Sequence, residues 1–251
     1  MLPNVASPVM LRAENVTKHY GSVVALAGVS VEVRRAECVV LIGESGSGKT
    51  TLLRCFNRLI DPDDGRVLIE GVEASQLDPI VLRRRIGYVP QDGGLLPHWR
   101  VGRNVELVPW LRRVANAGEL AARAMDLVGL EPELFGQRWP RELSGGQRQR
   151  VSVARALAAS PDLILLDEPF GALDAITRAD LQTTFHRVRR ELGITAVLVT
   201  HDLHEAFLLA TRIVVMRQGR IEQVAPPDEL RKAPATDYVR HLLERARVTA
   251  A

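Results

Sequence analysis

Short apolar runs alternate with stretches of helical periodicity along most of the chain. Four runs are continuously apolar instead of alternating with polar residues, which is typical of strands that are covered on both faces of a sheet. These predicted strands span residues 38–42, 86–90, 163–166 and 196–200. Because helical stretches lie between them, the pattern predicts an α/β protein with a mainly parallel central sheet.

Two further segments have the pattern of antiparallel pairs. Residues 65–71 and residues 213–224 each contain a tight turn next to extended runs, and the second turn lies at Gln218-Gly219. Tight turns connect antiparallel strands, whereas parallel strands need long crossovers. We therefore expect antiparallel strands at both places.

The region between residues 101 and 143 has a helical pattern. Apolar positions recur at helical spacing in residues 119–128, and Pro109, Pro132 and Pro140 indicate loops. No repeat or flexible linker separates this insert from its flanks, so we expect one domain over residues 1–251. Its predicted parts are a core at about 1–92 and 160–225, a helical subdomain at about 93–159, and a short C-terminal helical tail at 226–251.

Composition narrows the class of protein. Of 251 residues, 46% are hydrophobic and 25% are charged, as in an ordinary globular protein. The net charge of +3 is small and scattered, so we expect no nucleic-acid partner. Cys38 and Cys55 lie in apolar runs and are expected to be inert core residues of a protein in a reducing compartment. Neither a signal peptide nor a membrane-spanning run is evident, which predicts a cytoplasmic protein unless a partner holds it to a membrane.

A glycine-rich segment follows the first predicted parallel strand. It fits the pattern G-x-x-x-x-G-K-[ST] and consists of Gly43, Glu44, Ser45, Gly46, Ser47, Gly48, Lys49 and Thr50, with Thr51 opening the helical run 51–59. Such a loop turns its N–H groups toward an anion, and the following helix adds its positive end. We expect Lys49 to reach the β- and γ-phosphates of a bound nucleotide and the Thr50 hydroxyl to bind Mg²⁺. The alternative is a glycine turn that binds nothing.

The strand at residues 163–166 ends in two acids, Asp167 and Glu168. Strands of a parallel sheet deliver such residues to the ligand crevice at their carboxyl ends. The pair therefore predicts a Mg²⁺ site at Asp167 and a general base at Glu168 that polarises the attacking water. A solvated strand end is the alternative, and kinases, GTPases and ATPases all remain compatible with these two motifs.

Residues Leu143, Ser144, Gly145, Gly146 and Gln147 together resemble the signature of the ATP-binding cassette (ABC) ATPases. The residue types fit this resemblance, because Ser144 can cap the following helix and the glycines leave its first N–H groups open to an anion. Without the resemblance, an N-capped helix that binds no ligand would fit equally well. The family fold implied is a P-loop NTPase core with a mainly parallel sheet, an antiparallel β subdomain and a helical insert that carries the signature.

The resemblance assigns roles to four further residues. Tyr20 matches the aromatic residue that stacks on adenine, with a core tyrosine as the alternative. Gln91 matches the glutamine that senses the γ-phosphate through metal and water, and His201 matches the histidine that contacts the γ-phosphate. Asp174 matches the loop that crosses the dimer interface. The resemblance thus implies an ATPase in which Lys49, Gln91, Glu168 and His201 are catalytic and Thr50, Gln91 and Asp167 hold Mg²⁺.

Within the family, the chain is most similar to ATPases of importers for quaternary-amine osmoprotectants such as glycine betaine, carnitine, choline and proline, chiefly in residues 86–98, 103–109 and 167–178. This implies a head-to-tail homodimer in which each ATP lies between the P-loop of one protomer and the signature of the other. It also implies separate membrane permease subunits, contacted around residues 95–101, and indirectly a solute-binding protein. The expected location is the cytoplasmic face of the inner membrane. Alternatives are an importer of amino acids, polyamines or sulfonates, an ABC ATPase without transport, and a P-loop kinase.

Overall fold

The computed structural model describes residues 8–171 and 173–246. Its strands are β1 (Val9–Tyr20), β2 (Val23–Arg34), β3 (Cys38–Ile42), β4 (Asp64–Ile69), β5 (Val72–Glu73), β6 (Ile86–Val89), β7 (Leu163–Asp167), β8 (Thr195–Val199), β9 (Arg212–Arg217) and β10 (Arg220–Ala225). Its α-helices are α1 (Lys49–Phe56), α2 (Pro79–Arg85), α3 (Val101–Leu111), α4 (Ala117–Leu127), α5 (Pro132–Phe135), α6 (Gly145–Leu157), α7 (Ala175–Glu191), α8 (Leu203–Leu209), α9 (Pro227–Lys232) and α10 (Asp237–Arg245). Short 3-10 helices lie at Ala74–Gln76 and Pro140–Glu142.

The chain divides into two compact units. The first contains Met1–Pro79 and Gly193–Ala251, and the second contains Ile80–Leu192. The predicted boundaries of the core, helical subdomain and tail, near residues 92, 159 and 225, stay a prediction. Parts of the predicted core and tail, residues 1–7, 172 and 247–251, lie outside the described residues.

Two sheets form the first unit. In one, the antiparallel order is β2-β1-β4-β5. In the other, β3 lies parallel between β8 and β9, with Val40 opposite both Leu198 and Ile213, and β10 pairs antiparallel with β9. Every residue of β3 and β8 is buried, as the continuously apolar runs predict. The antiparallel pairing of β9 with β10 confirms the strands predicted on either side of Gln218-Gly219.

The second unit combines a parallel strand pair with helices. Gly87 of β6 is opposite Ile164 of β7, and α6 packs on β6 and against α3 and α4. Helix α6 buries most of its length because it carries small and β-branched residues such as Val151, Val153 and Ala154 toward the interior. The predicted fold class, with parallel strands, an antiparallel sheet and a helical insert, is confirmed.

One loop prediction is wrong. Pro109 lies inside α3 and not in a loop, two residues before the end of the helix. Proline lacks the N–H that would bond the carbonyl four residues earlier, and its ring crowds that carbonyl, but the residues after Pro109 keep their own bonds, as the Arg112 N–H does to Val108 O at 3.0 Å. Pro132 and Pro140, in contrast, each occupy the first turn of a short helix. Within the part of the chain that the structure describes, no helix has the length and apolar composition needed to cross a membrane.

Candidate functional site

The glycine-rich loop connects β3 to α1 in the first unit. Gly43 has a φ of 148°, and a Cβ at this position would lie 2.1 Å from the carbonyl oxygen of Met216. Gly48 has a φ of 99°, and its Cβ would lie 2.4 Å from the carbonyl oxygen of Ala25. Only glycine accommodates both the backbone conformation and the close approach. The first and last glycines of the motif are therefore required by the path of the loop itself.

Lys49 is the first residue of α1, and its side chain is folded into the loop. It is only 6% exposed. Its Nζ donates hydrogen bonds to the carbonyl oxygens of Gly43 and Glu44, both at 2.8 Å, and to Ser47 Oγ at 3.2 Å. A buried ammonium group thus lies within a curled backbone at the start of a helix, where anions bind favourably.

The rest of the motif surrounds this lysine. Ser45 and Gly46 form the exposed tip of the loop, where Gly46 has a φ of 79°. Thr50 and Thr51 are half-buried in the first turn of α1. The nine residues predicted for phosphate binding, 43–51, therefore form one continuous segment that runs from the loop after β3 into the first turn of α1.

Two other predicted residues belong to the first unit. Tyr20, at the end of β1, is 48% exposed, which excludes the alternative of a core tyrosine. His201 is exposed in the turn after β8. Thr200 fixes that turn, because its hydroxyl accepts a hydrogen bond from the Asp202 N–H and donates one to Glu205. The exposed side chains of Tyr20 and His201 are both accessible to a ligand in solution.

In the second unit, the acid pair lies at the end of β7. Asp167 is fully buried, so it is not the solvated strand end that the sequence left open. Glu168 is half-buried and has a φ of 47°, a left-handed conformation that is uncommon outside glycine. The Gln91 Nε2 donates a hydrogen bond to Glu168 Oε2 at 3.3 Å. The structure thus brings the predicted base and the predicted γ-phosphate sensor together.

The signature segment forms the start of α6. Ser144 caps the helix, since its Oγ accepts a hydrogen bond from the Gln147 N–H at 3.2 Å, and the Gln147 side chain accepts one from the Ser144 N–H at 3.0 Å. Ser144 and Gly145 are exposed, whereas Gly146 is buried. The predicted N-cap at Ser144 is confirmed, and the exposed residues present the helix start to solvent.

Asp174 caps the next helix of this unit, α7. Its carboxylate accepts a hydrogen bond from the Thr177 N–H at 3.0 Å, and this backbone contact lowers the pKa of Asp174. A Cβ on Gly146 would lie 2.3 Å from Thr177 Cγ2. The signature and the Asp174 turn therefore pack directly against each other.

Comparison with known proteins identifies the family of this arrangement. The family model described as ABC transporter matches residues 26–171, more than half of the chain. The chain belongs to the ABC transporter family.

Individual ABC relatives are similar over nearly the whole chain. It is 46% identical over 242 residues to the glycine betaine/carnitine/choline transport ATP-binding protein OpuCA of Bacillus subtilis (strain 168), a match of 95% of this chain and 63% of the relative. It is 44% identical over 239 residues to the glycine betaine uptake system ATP-binding protein YehX of Escherichia coli (strain K12), a match of 94% of this chain and 77% of the relative. The chain thus spans less than two thirds of the length of OpuCA.

Solved ABC structures have the same fold. Two dimeric structures of MJ0796, a bacterial ABC transporter cassette, match with a TM-score of 0.79 and 35% identity, covering 86% of this chain and 98% of the cassette. One of them is a post-hydrolysis state bound to ADP and Pi.

Residues outside the motifs of this ABC chain hold the loop that follows Gln91. Arg155 of α6 is buried and donates hydrogen bonds to the carbonyl oxygens of Gly93 and Gly94, at 2.8 and 2.6 Å. Ser152 Oγ donates to Gly93 O at 2.9 Å. Helix α6 thereby fixes the loop that follows Gln91. A buried arginine on a helix whose buried face is mainly apolar is the signal that points to such a contact.

Proposed function

We propose that the chain is the ATP-hydrolysing, nucleotide-binding subunit of an ABC importer for quaternary-amine osmoprotectants. The observation that carries ATP binding is the buried ammonium of Lys49, which is enclosed by the carbonyls of a glycine loop at the start of α1. The solute class rests on the similarity to OpuCA and YehX, whose names refer to glycine betaine, carnitine and choline.

Lys49 and backbone N–H groups of residues 43–51, other than that of Glu44, bind the phosphates of ATP in this proposal, because the Glu44 N–H already donates a hydrogen bond within the first unit. The ammonium exchanges the neutral carbonyls of Gly43 and Glu44 for charged phosphate oxygens, which form stronger hydrogen bonds. Tyr20, exposed at the end of β1, offers its ring to the adenine.

Three residues would hold Mg²⁺. Thr50, Gln91 and Asp167 offer a hydroxyl, an amide and a carboxylate oxygen, the hard donors that Mg²⁺ prefers. The position of Asp167 at the carboxyl end of β7 fits this role, because Mg²⁺ in proteins is usually held by one or two carboxylates. When bound, the ion neutralises charge on the phosphates.

Glu168 is the general base. It accepts the proton of the attacking water, and its hydrogen bond from Gln91 orients the carboxylate. His201, exposed after β8, donates to the γ-phosphate and senses its presence. Each of these groups lies at the carboxyl end of a strand, where ligands bind in parallel sheets.

A head-to-tail homodimer completes the site in our proposal. Ser144, Gly145, Gly146 and Gln147 face the ATP bound to the other protomer, while Asp174 lies at the interface. The exposed start of α6 and the dimeric structures of the MJ0796 cassette support this arrangement. ATP binding then closes the dimer and hydrolysis opens it, which makes the dimer a two-state device.

Membrane permease subunits are the proposed partners, at the cytoplasmic face of the inner membrane, with a solute-binding protein as an indirect partner. A cavity of about 660 Å³ in the second unit supports this proposal. Trp99, Trp139 and Met125 contribute apolar surface to it, and Arg103 and Glu106 contribute charge. Aromatic surface with an arginine beside it is the usual composition of a protein-binding hot spot.

Two measurements test the proposal. Lys49→Ala should abolish ATP hydrolysis and weaken ATP binding, whereas Lys232→Ala, which removes an exposed lysine of α9, should change neither. Co-purification with a multi-span membrane protein, followed by uptake of labelled glycine betaine into vesicles that contain the complex, tests transport. Uptake of amino acids, polyamines or sulfonates instead would contradict the solute class, and co-purification with ribosomes or DNA would contradict transport itself.

A further inference from the structure

A hydrogen bond joins the C-terminal helix of the first unit to the outer side of the phosphate loop. The hydroxyl oxygen of Tyr238, in the first turn of α10, accepts a hydrogen bond from the backbone N–H of Glu44 at 3.2 Å. The carbonyl oxygen of Glu44 accepts a hydrogen bond from Lys49 Nζ at 2.8 Å. The single residue Glu44 thus connects Tyr238 to the lysine of the loop.

The ring of Tyr238 is held in place by β9. The guanidinium of Arg217, the last residue of that strand, lies 4.7 Å from the ring centroid, within the range of a cation–π contact. The side chain is half-buried, and burial is the main cause of the raised pKa of its hydroxyl. Tyr238 is therefore a neutral, protonated group at physiological pH.

Helix α10 is itself fixed to the first unit. Thr236 Oγ1 caps the helix by accepting from the Val239 N–H at 3.3 Å, and Val239 and Leu243 are buried. The side chain of Gln223, on β10, binds the preceding segment through Ala233 O and the Ala235 N–H, at 2.9 and 2.8 Å. The position of the Tyr238 hydroxyl is thus set by the sheet and not by the loop that it contacts.

We propose that Tyr238 is a positioning residue for ATP binding, which fixes the Glu44 peptide and thereby the conformation in which the loop receives phosphate. This inference rests on the proposed function of the loop. An exposed glycine-rich loop loses conformational entropy when it becomes ordered around a ligand. A loop that is already held in the binding conformation loses less entropy on binding, so its affinity is higher. The N–H of Glu44 is the group that Tyr238 immobilises, and its carbonyl is the group that Lys49 contacts.

This role predicts a specific kinetic pattern. Without the hydroxyl, the loop samples more conformations before ATP binds, so the affinity for ATP falls. The base, Glu168, belongs to the second unit and is oriented by Gln91, so we expect the rate of hydrolysis at saturating ATP to stay the same. A change in KM without a change in kcat distinguishes positioning for binding from a general loss of structure.

Tyr238→Phe is the decisive variant, because it keeps the ring beside Arg217 and removes only the hydroxyl. We expect the Kd for ATP to rise by about two- to tenfold, the range of one hydrogen bond, with kcat at saturating ATP within about twofold of wild type. Amide hydrogen exchange should accelerate at Glu44, with no change in β9 or β10. His241→Ala is the matched control: His241 lines the same small cavity beside Glu44, but its ring contacts Glu244 instead of the loop.

Lys49→Ala, measured in parallel, distinguishes failure of the proposed ATP site from failure of the role of Tyr238. Weakened ATP binding in Lys49→Ala, together with wild-type affinity and unchanged Glu44 exchange in Tyr238→Phe, would overturn the role of Tyr238 alone. Normal ATP binding in Lys49→Ala would overturn the proposed function and this inference with it. A Tyr238→Phe variant that loses kcat and thermal stability along with affinity would also overturn positioning, because it would show a merely structural role.

Discussion

The side-chain amide of Gln91 donates a hydrogen bond to the carboxylate of Glu168 across 3.3 Å. The two residues follow the adjacent parallel strands β6 and β7, in which Val89 is opposite Leu166. Strand register therefore sets the distance between them. The left-handed backbone of Glu168 costs about 1–3 kcal/mol, as is found for residues that are held at functional sites.

Glu168→Gln should trap ATP. The glutamine keeps the shape of the side chain but cannot accept the proton of the attacking water, so turnover should fall by about 100-fold or more. The variant should accumulate as a dimer on gel filtration with ATP and Mg²⁺. Glu119→Gln, an exposed position on α4, serves as the control and should hydrolyse ATP like the wild type. Normal turnover by Glu168→Gln would show that Glu168 is not the base.

Gly146→Ala should destabilise the second unit by about 1–3 kcal/mol, as overpacking does. The added Cβ would lie 2.3 Å from Thr177 Cγ2, and this distance requires the Thr177 side chain or one of the two helices to shift. Thr177→Ser removes that methyl group but keeps the hydroxyl, and should restore stability in the double variant. Gly145→Ala is the matched control, because no atom lies within 4 Å of its Cβ position. Chemical denaturation of the four variants measures the effect; equal stability of Gly145→Ala and Gly146→Ala would refute the contact.

The cysteines should not react in the folded protein. Cys38 and Cys55 are buried, and burial raises the pKa of Cys55 to about 12. Neither thiol should react with a thiol reagent at pH 8 until denaturant is added. Because the unfolded thiol has a pKa of about 8.5, the contribution of Cys55 to stability is complete below that pH. It is lost as the pH rises toward 12, so Cys55→Ser, which does not titrate there, should show a weaker alkaline decline. Rapid labelling of the native protein would contradict the buried state.

Much of the fold follows from local sequence patterns. The apolar run Cys38–Ile42 has the predicted bounds, and the strand predicted at 86–90 ends one residue earlier, at Val89. These strands can be predicted from the sequence because burial on both faces makes their residues continuously apolar. The cap at Ser144 is equally local, since its partner Gln147 is three residues away.

Features that depend on distant residues were not predictable in this way. Strands β1 and β2 have 12 residues each, yet neither was predicted from the sequence. The reason is that bulges interrupt their pairing and polar residues interrupt their apolar pattern. The contact between Tyr238 and Glu44 joins residues that are 194 positions apart. No periodicity encodes such a contact, because it exists only once the sheet has brought both segments together.

The completion of the active site by a second protomer is tested most directly by the ATPase rate of Ser144→Arg at dimer-forming protein concentrations. The substitution places a bulky cation where the signature faces the ATP of the partner, and loss of the N-cap costs only about 1 kcal/mol. Its affinity for ATP, measured by equilibrium binding to the monomer, should stay close to that of the wild type because the loop around Lys49 is unchanged. The predicted result is a fall in kcat by about 100-fold or more. Full ATPase activity of Ser144→Arg under these conditions would contradict the shared site.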